Sequence, residues 1–218
     1  MKALRRWIAG LLMAVPSAAL ACDTALVLTI DVSNSVDPAE YRLQIDGLAD
    51  ALEDPEIVEA MVRGEVAIAV VQWSGENWQD LSIPWRTIRT SLDAQQLAIE
   101  TRLMPRAFVL SDTAPAEALY FAIDLFRDAP ICRRKVIDVS GDGTPNAGGS
   151  TSAARQSAQR AGITINGIAI EGMGMAITTF YRRQVITRDG FVITARTHRD
   201  YPNAIRRKLI RELTLPLG

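Results

Sequence analysis

Thr24-Ala-Leu-Val-Leu-Thr-Ile-Asp-Val-Ser-Asn-Ser35 runs from a strongly apolar stretch into a cluster of short, oxygen-bearing side chains. The apolar part has no polar alternation that would give it a wet face. It therefore reads as a strand of a parallel sheet, buried on both sides. Lys135-Val-Ile-Asp-Val139 leads into Gly141-Asp142-Gly143 in the same way, and Thr113, between Asp112 and an Ala118-Leu119 helix, adds a third element. Two carboxylates and several hydroxyls thus emerge where strands end and helices begin. In an open α/β sheet, ligands bind in the crevice outside the carboxyl ends of the strands.

Further apolar runs alternate with amphipathic stretches, the pattern of a βα-wound sheet. Strands are predicted at 25–30, 66–73, 81–85, 136–139, 163–170 and 191–195. The first helix starts sharply: Asp37 caps it, Pro38 suits the first turn, and Glu40 completes a capping box. Tyr41, Ile45, Leu48 and Leu52 form its buried stripe, and Asp54-Pro55 ends it. A short helix at 57–62 follows, with others expected at 92–103, 116–127, 151–161, 178–185 and 202–213, the last burying Ile205, Leu209 and Leu213. Residues 80–84 read as an edge strand, because Pro84 cannot donate to a ladder. Nothing in the chain looks like a repeat or an interdomain linker, and 218 residues at 48% hydrophobic fit one domain with one sizeable core. The expected class is α/β: a single doubly wound, mostly parallel six-stranded sheet with helices on both faces.

Asp31-x-Ser33-x-Ser35, Thr113 ahead of Ala118-Leu119, and Gly141-Asp142-Gly143, in that order, resemble the metal-ion-dependent adhesion site of von Willebrand factor A domains. More narrowly, Asp138-Val-Ser-Gly-Asp142 and Ile163-Thr-Ile-Asn-Gly-Ile-Ala169 are similar to a group of secreted bacterial proteins of this type. The resemblance runs from about Cys22 to the C-terminus. It implies the strand order 3-2-1-4-5-6, with the short third strand antiparallel. It also implies one Mg²⁺ (or Mn²⁺) held by Asp31, Ser33, Ser35, Thr113 and Asp142, and metal-dependent binding of a protein partner that presents Asp or Glu. Magnesium takes near-octahedral oxygen coordination. A ligand set rich in neutral hydroxyls leaves the cation partly unneutralised, so one open position still attracts an anion. One departure from the pattern is Asp112, which stands where many relatives have glycine; its extra charge bears on metal affinity or on how the loop is held.

Each residue also has a blander reading. Asp31 and Asp142 suit helix caps, Ser33 and Ser35 suit turn hydroxyls, and Asn34 suits a turn with left-handed backbone. Thr113 fits the cap of the helix after it, and Glu171 either the rim of the site or a solvated loop. The loop Gly141-Asp-Gly-Thr-Pro-Asn-Ala-Gly-Gly149 lacks the signatures of nucleotide and dinucleotide loops, so it reads as the turn that presents Asp142. Enzymatic readings are weaker. Trp73-Ser74-Gly75 lacks the first glycine of a nucleophile elbow, and the single histidine, His198, sits among polar neighbours and is expected at the surface. Zinc hydrolysis draws on several His or Cys ligands that are missing here. A Mg²⁺-dependent phosphoester hydrolase is the best enzymatic alternative, with no base or nucleophile to name.

Lys2, Arg5 and Arg6, an apolar stretch from Trp7 to Pro16, and Ala19-Leu20-Ala21 make a secretory signal cleaved after Ala21, leaving 22–218 as the domain. The apolar stretch is too short to span a membrane, and no later segment approaches a span. A periplasmic or secreted location follows. The Arg5-Arg6 pair is a poor twin-arginine signal, and Cys22 is a poor lipoprotein cysteine because Ala19 stands where leucine is usual. Processing leaves 21 basic against 25 acidic residues, without a basic stripe, which argues against nucleic acid. If Asp31 and Asp142 top neighbouring parallel strands, Cys22 and Cys132, nine and ten residues earlier, lie at the bottom of the same pair. Strands roughly 4.8 Å apart suit the about 4.4–6.8 Å Cα separation of a disulfide, and an oxidising compartment permits one.

Overall fold

β1 (Cys22–Asp31) lies between β2 (Ala67–Trp73) and β4 (Cys132–Gly141) and is parallel to both. The computed structural model describes residues 22–172 and 176–214, so the expected signal at 1–21 lies outside the described residues. β5 (Ile163–Ile170) and β6 (Val192–Ala195) extend the parallel sheet past β4, and β3 (Gln79–Thr87) closes the other edge antiparallel to β2. The order is β3-β2-β1-β4-β5-β6, as the resemblance implied. Pro84 sits on the edge strand, where the β2–β3 register shifts between Ile68 and Val70.

Both faces of the sheet are covered, which is why β1 shows no polar alternation. Leu26, Leu28 and Ile30 join one core, built with α1 (Pro38–Glu53), α2 (Pro55–Arg63), α3 (Ser91–Leu103) and α7 (Tyr201–Thr214). Ala25 and Val27 join the other, with α4 (Pro115–Leu125) and α5 (Thr151–Arg160). The capping box of α1 forms as expected: Asp37 accepts from Ala39 and Glu40, and Glu40 accepts back from Asp37. Gly47 lets α7 approach α1, since a Cβ there would stand 2.9 Å from Pro202.

Two expectations need correction. The helix predicted at 178–185 is instead α6 (Ala176–Phe180) running into a wider π-helical turn, Tyr181–Val185. In that turn Tyr181 is fully buried over Gly167, where a Cβ would lie 2.7 Å from the tyrosine ring. Asn34 does not adopt left-handed backbone. Among the described non-glycine residues that region holds only Glu65 (φ 43°) and Leu110 (φ 57°).

Cys22 and Cys132 pair directly in the β1–β4 register and form a disulfide, with Cα atoms 4.6 Å apart. The bond spans 110 residues of chain, and in the chain-entropy model such a closure stabilises by up to about 4–5 kcal/mol.

A charged cluster fastens α7 to the sheet. Lys208 is fully buried, with Nζ 2.5 Å from Asp138 Oδ2 on β4 and 2.8 Å from Glu212 Oε2 one turn along the helix. Asn166 on β5 donates to Glu212 Oε1 at 2.6 Å and accepts the Phe191 N–H at 2.9 Å. Arg211 covers the Phe191 ring at 3.9 Å. Burial pushes the Asp138 carboxyl up to about 7 against the pull of Lys208, while the two carboxylates hold the Lys208 ammonium charged. Removing one partner of a buried ionic cluster strands the others. Lys208→Met is therefore expected to lower the unfolding free energy by about 3–5 kcal/mol. Adding Asp138→Asn and Glu212→Gln should recover most of that. Urea denaturation followed by circular dichroism measures both; a negligible loss for the single variant would refute the assignment.

Candidate metal site

Asp31 ends β1 with its carboxylate fully buried. Oδ1 accepts the Ser33 N–H at 2.8 Å, which curls the chain as it leaves the strand. Arg106 secures the curl by donating from Nη2 to the carbonyls of Val32 and Ser33, at 2.8 and 2.9 Å. The Ser33 and Ser35 hydroxyls lie 3.1 Å apart, and Ser35 Oγ donates to Asp142 Oδ1 at 2.6 Å. Four of the five expected ligands are thus linked by one run of hydrogen bonds.

Thr113 comes in from a third element and is held from both sides. Its N–H donates to Asn146 Oδ1 at 2.7 Å, and its carbonyl accepts the Asn146 N–H at 3.1 Å. Ser74, at the end of β2, donates to the Asp112 carbonyl at 2.8 Å and accepts from the Ala114 N–H at 2.9 Å. Glycines bring the Asp142 loop into place: a Cβ on Gly141 would stand 2.8 Å from Asp31 Oδ2, and one on Gly143 would stand 3.4 Å from Thr113 Oγ1. The cap readings fail at all three positions, because α1, α4 and α5 have Asp37, Ala114 and Ser150 at their N-caps.

Among the described residues, no Lys or Arg is in ion-pair range of Asp31 or Asp142, and the one ionisable base beside either is His198, 3.8 Å from Asp142. Burial, and then repulsion from Asp142, push the Asp31 carboxyl up to about 7. The same two aspartates add to burial in raising the Tyr181 hydroxyl well above its ordinary value. Among the described residues, Asp31 Oδ2 is buried without a hydrogen-bond partner. An orphaned carboxylate oxygen, a second carboxylate and three hydroxyls fit a hard divalent cation, which takes oxygen ligands.

Several neighbours escaped the sequence reading. His198, expected at the surface, is only 8% exposed. It opens a 3-10 turn, His198–Asp200, that swings it towards Glu40 and Asp142. Its polar neighbours in sequence were the misleading signal. Glu171 is neither on a rim nor solvated: it is buried and accepts the Ile177 and Thr178 N–H groups at the start of α6. Arg106, Asn146 and Tyr181 carry no local pattern that marks them.

The fold is that of von Willebrand factor A domains. PTMP1, the proximal thread matrix protein from the mussel byssus, solved with a zinc-occupied MIDAS motif, superposes with a TM-score of 0.69 at 20% identity, over 88% of this chain and 48% of that one. This chain thus spans about half the length of PTMP1. The von Willebrand factor type A protein from Catenulispora acidiphila matches with a TM-score of 0.62 at 16% identity, over 88% of this chain and 43% of that one. The vWF domain of the type V pili tip protein Mfa5 from Porphyromonas gingivalis matches at 0.63 and 13%, covering 88% and 95%. The chain belongs to the family described as "Protein of unknown function (DUF1194)", which matches residues 21–216. No curated protein matches it by sequence.

A dication held by Asp31 would need that carboxyl ionised, so its raised value would make metal affinity depend on pH. Below about pH 7 a proton competes with the ion, and Mg²⁺ affinity is expected to fall towards tenfold per pH unit. The folding linkage has a definite sign. The folded-state value lies above the unfolded one of about 3.9, so without metal Asp31 contributes stability fully present below about pH 4 and lost as pH rises through about 7. Added Mg²⁺ should therefore raise the melting temperature more at pH 8 than at pH 5.5. Calorimetric titration and thermal melts at the two pH values test this, and equal affinity at both would refute it.

Proposed function

We propose that this chain is an exported, metal-dependent protein-binding module that engages an Asp or Glu of its partner through a bound Mg²⁺ or Mn²⁺. Asp31, Ser33, Ser35, Thr113 and Asp142 hold the ion, directly or through water. When bound, it supplies a positive centre with a coordination position open to a carboxylate. The observation that carries the reading is the fully buried Asp31 carboxylate, whose Oδ2 has no hydrogen-bond partner among the described residues and whose Oδ1 is joined through Ser33 and Ser35 to Asp142. Hydroxyls outnumber carboxylates in this set, so the ion keeps part of its charge for an outside ligand.

The surroundings suit a protein ligand. Leu110 and Val109 are 85% and 59% exposed, in the segment that leads into Thr113. Trp78, also exposed, stacks edge-on against Phe108 of the same segment, with ring centroids 5.3 Å apart. Asn34 ties this segment to the Asp31 loop by donating its N–H to the Ser111 carbonyl at 2.9 Å. Exposed apolar groups beside a charged centre are the anatomy of a contact surface with a desolvated core. Export is supported by the residue 1–21 signal pattern and by the Cys22–Cys132 disulfide, which suits an oxidising compartment.

Pull-down from envelope extracts tests the function. Capture of a partner in Mg²⁺ and its loss in chelator is the expected outcome, and Asp31→Ala or Thr113→Val should abolish it. Leu110→Asp should weaken capture at least about tenfold through lost apolar contact while leaving Mg²⁺ affinity unchanged. Capture that survives chelator would sink the proposal, as would turnover of a phosphoester by the protein with no metal-dependent partner.

A further inference from the structure

Glu40 from the first turn of α1, Asp142 from the loop after β4, and His198 before α7 each offer one ligand atom, and these atoms lie within 4.8 Å of one another. The contacts decide which imidazole nitrogen is free. His198 Nδ1 lies 3.0 Å from Glu40 Oε1. An ionised carboxylate only accepts, so Nδ1 carries the proton. Glu40 is itself held, because its Oε2 accepts the Asp37 N–H at 2.9 Å. The neutral ring therefore keeps its lone pair on Nε2.

Among the described residues, Nε2 is buried with no hydrogen-bond partner, and it faces Asp142 Oδ2 at 3.8 Å. That is too far for a hydrogen bond. It is within the span of one ion with bonds of about 2.0–2.2 Å to nitrogen and oxygen. Asp142 turns its two oxygens to different neighbours: Oδ1 takes the Ser35 hydroxyl, and Oδ2 faces the imidazole.

We propose that Glu40, Asp142 and His198 form a second cation site, selective for a transition-metal dication such as Zn²⁺, with Asp142 bridging it to the all-oxygen site. Donor chemistry separates the two. Imidazole nitrogen suits zinc and its neighbours, whereas hydroxyl and carboxylate oxygens suit magnesium. His198 Nε2 and Asp142 Oδ2 bind the ion. Glu40 acts as the carboxylate that fixes the histidine's tautomer and ring orientation, an arrangement common behind metal-binding histidines. The site shares only Asp142 with the proposed Mg²⁺ site and does not depend on a partner protein.

The chain has one histidine, so in the purified, untagged protein every imidazole resonance reports His198. Titration with Zn²⁺ is expected to move the Nε2 signal in ¹⁵N NMR while the Nδ1 proton stays in place. Calorimetry should show His198→Gln losing at least about tenfold in Zn²⁺ affinity with Mg²⁺ affinity little changed. Thr113→Val should do the reverse, losing Mg²⁺ and keeping the Nε2 response to Zn²⁺. A wild-type Nε2 signal unmoved by Zn²⁺ overturns the inference. So does loss of that response in Thr113→Val, which would put the zinc in the oxygen site alone. If Nε2 responds but the wild type binds no Mg²⁺, this site stands and the proposed Mg²⁺ site falls.

Discussion

The parallel pairing of β1 with β4 sets both ends of the molecule at once. Their register holds from Cys22 against Cys132 to Ile30 against Ser140, with no bulge along the way. Because it holds, the two cysteines meet at one end, and Asp31 and the Asp142 turn meet at the other. A slip of one residue would turn Asp31 to the opposite face of the sheet and carry the cysteines out of step. The other elements position what this pair presents. β2 leads into Ser74, which fastens the backbone on either side of Thr113; the first turn of α1 carries Glu40; and the turn before α7 delivers His198.

Two of the buried carboxylates, Asp138 and Asp31, are treated differently. At Asp138 the compensation is internal: Lys208 and Glu212 come from α7, and Asn166 satisfies the remaining glutamate oxygen. At Asp31 the compensation is only partial. Backbone and hydroxyl donors meet one oxygen and link through to Asp142, while the second oxygen has no donor among the described residues. At Asp138 the buried charge has a buried counter-charge, Lys208, and the pair joins a helix to a sheet, although Asp138 Oδ1 has no hydrogen-bond partner among the described residues. A buried carboxylate left open is a demand for a cation from outside, and a costly one to leave unmet.

Much of this could be read from residues alone. The unbroken apolar run 24–30 implied a strand covered on both sides, and Asp37-Pro38 with Glu40 implied the start of α1. The cysteine spacing implied the disulfide once β1 and β4 were taken as neighbours. What escaped the reading depends on backbone geometry that no local pattern encodes. His198 sits in a polar stretch and is buried only because a single 3-10 turn points it inwards. Tyr181 reaches the site because the helix after β5 widens by a residue. Lys208 and Glu212 lie one turn apart on α7 and look like an ordinary surface pair. Asp138, which pairs with Lys208, is an acid inside an apolar strand seventy residues away, and that anomaly was the available clue.

The disulfide and the acidic face lie at opposite ends of the same two strands, and this gives the domain a mechanical axis. Tension between the acidic face and the Cys22 end runs along the covalent backbones of β1 and β4, and load that enters at the Asp142 loop and leaves through Cys22 crosses their ladder as shear. All the backbone hydrogen bonds of the pair then share the load, where a peeling force would break them one at a time. At the far end the load meets a covalent bond between the two central strands. The middle of the sheet is thus the stiffest path through the molecule, and β3 and β6, at its edges, lie off it.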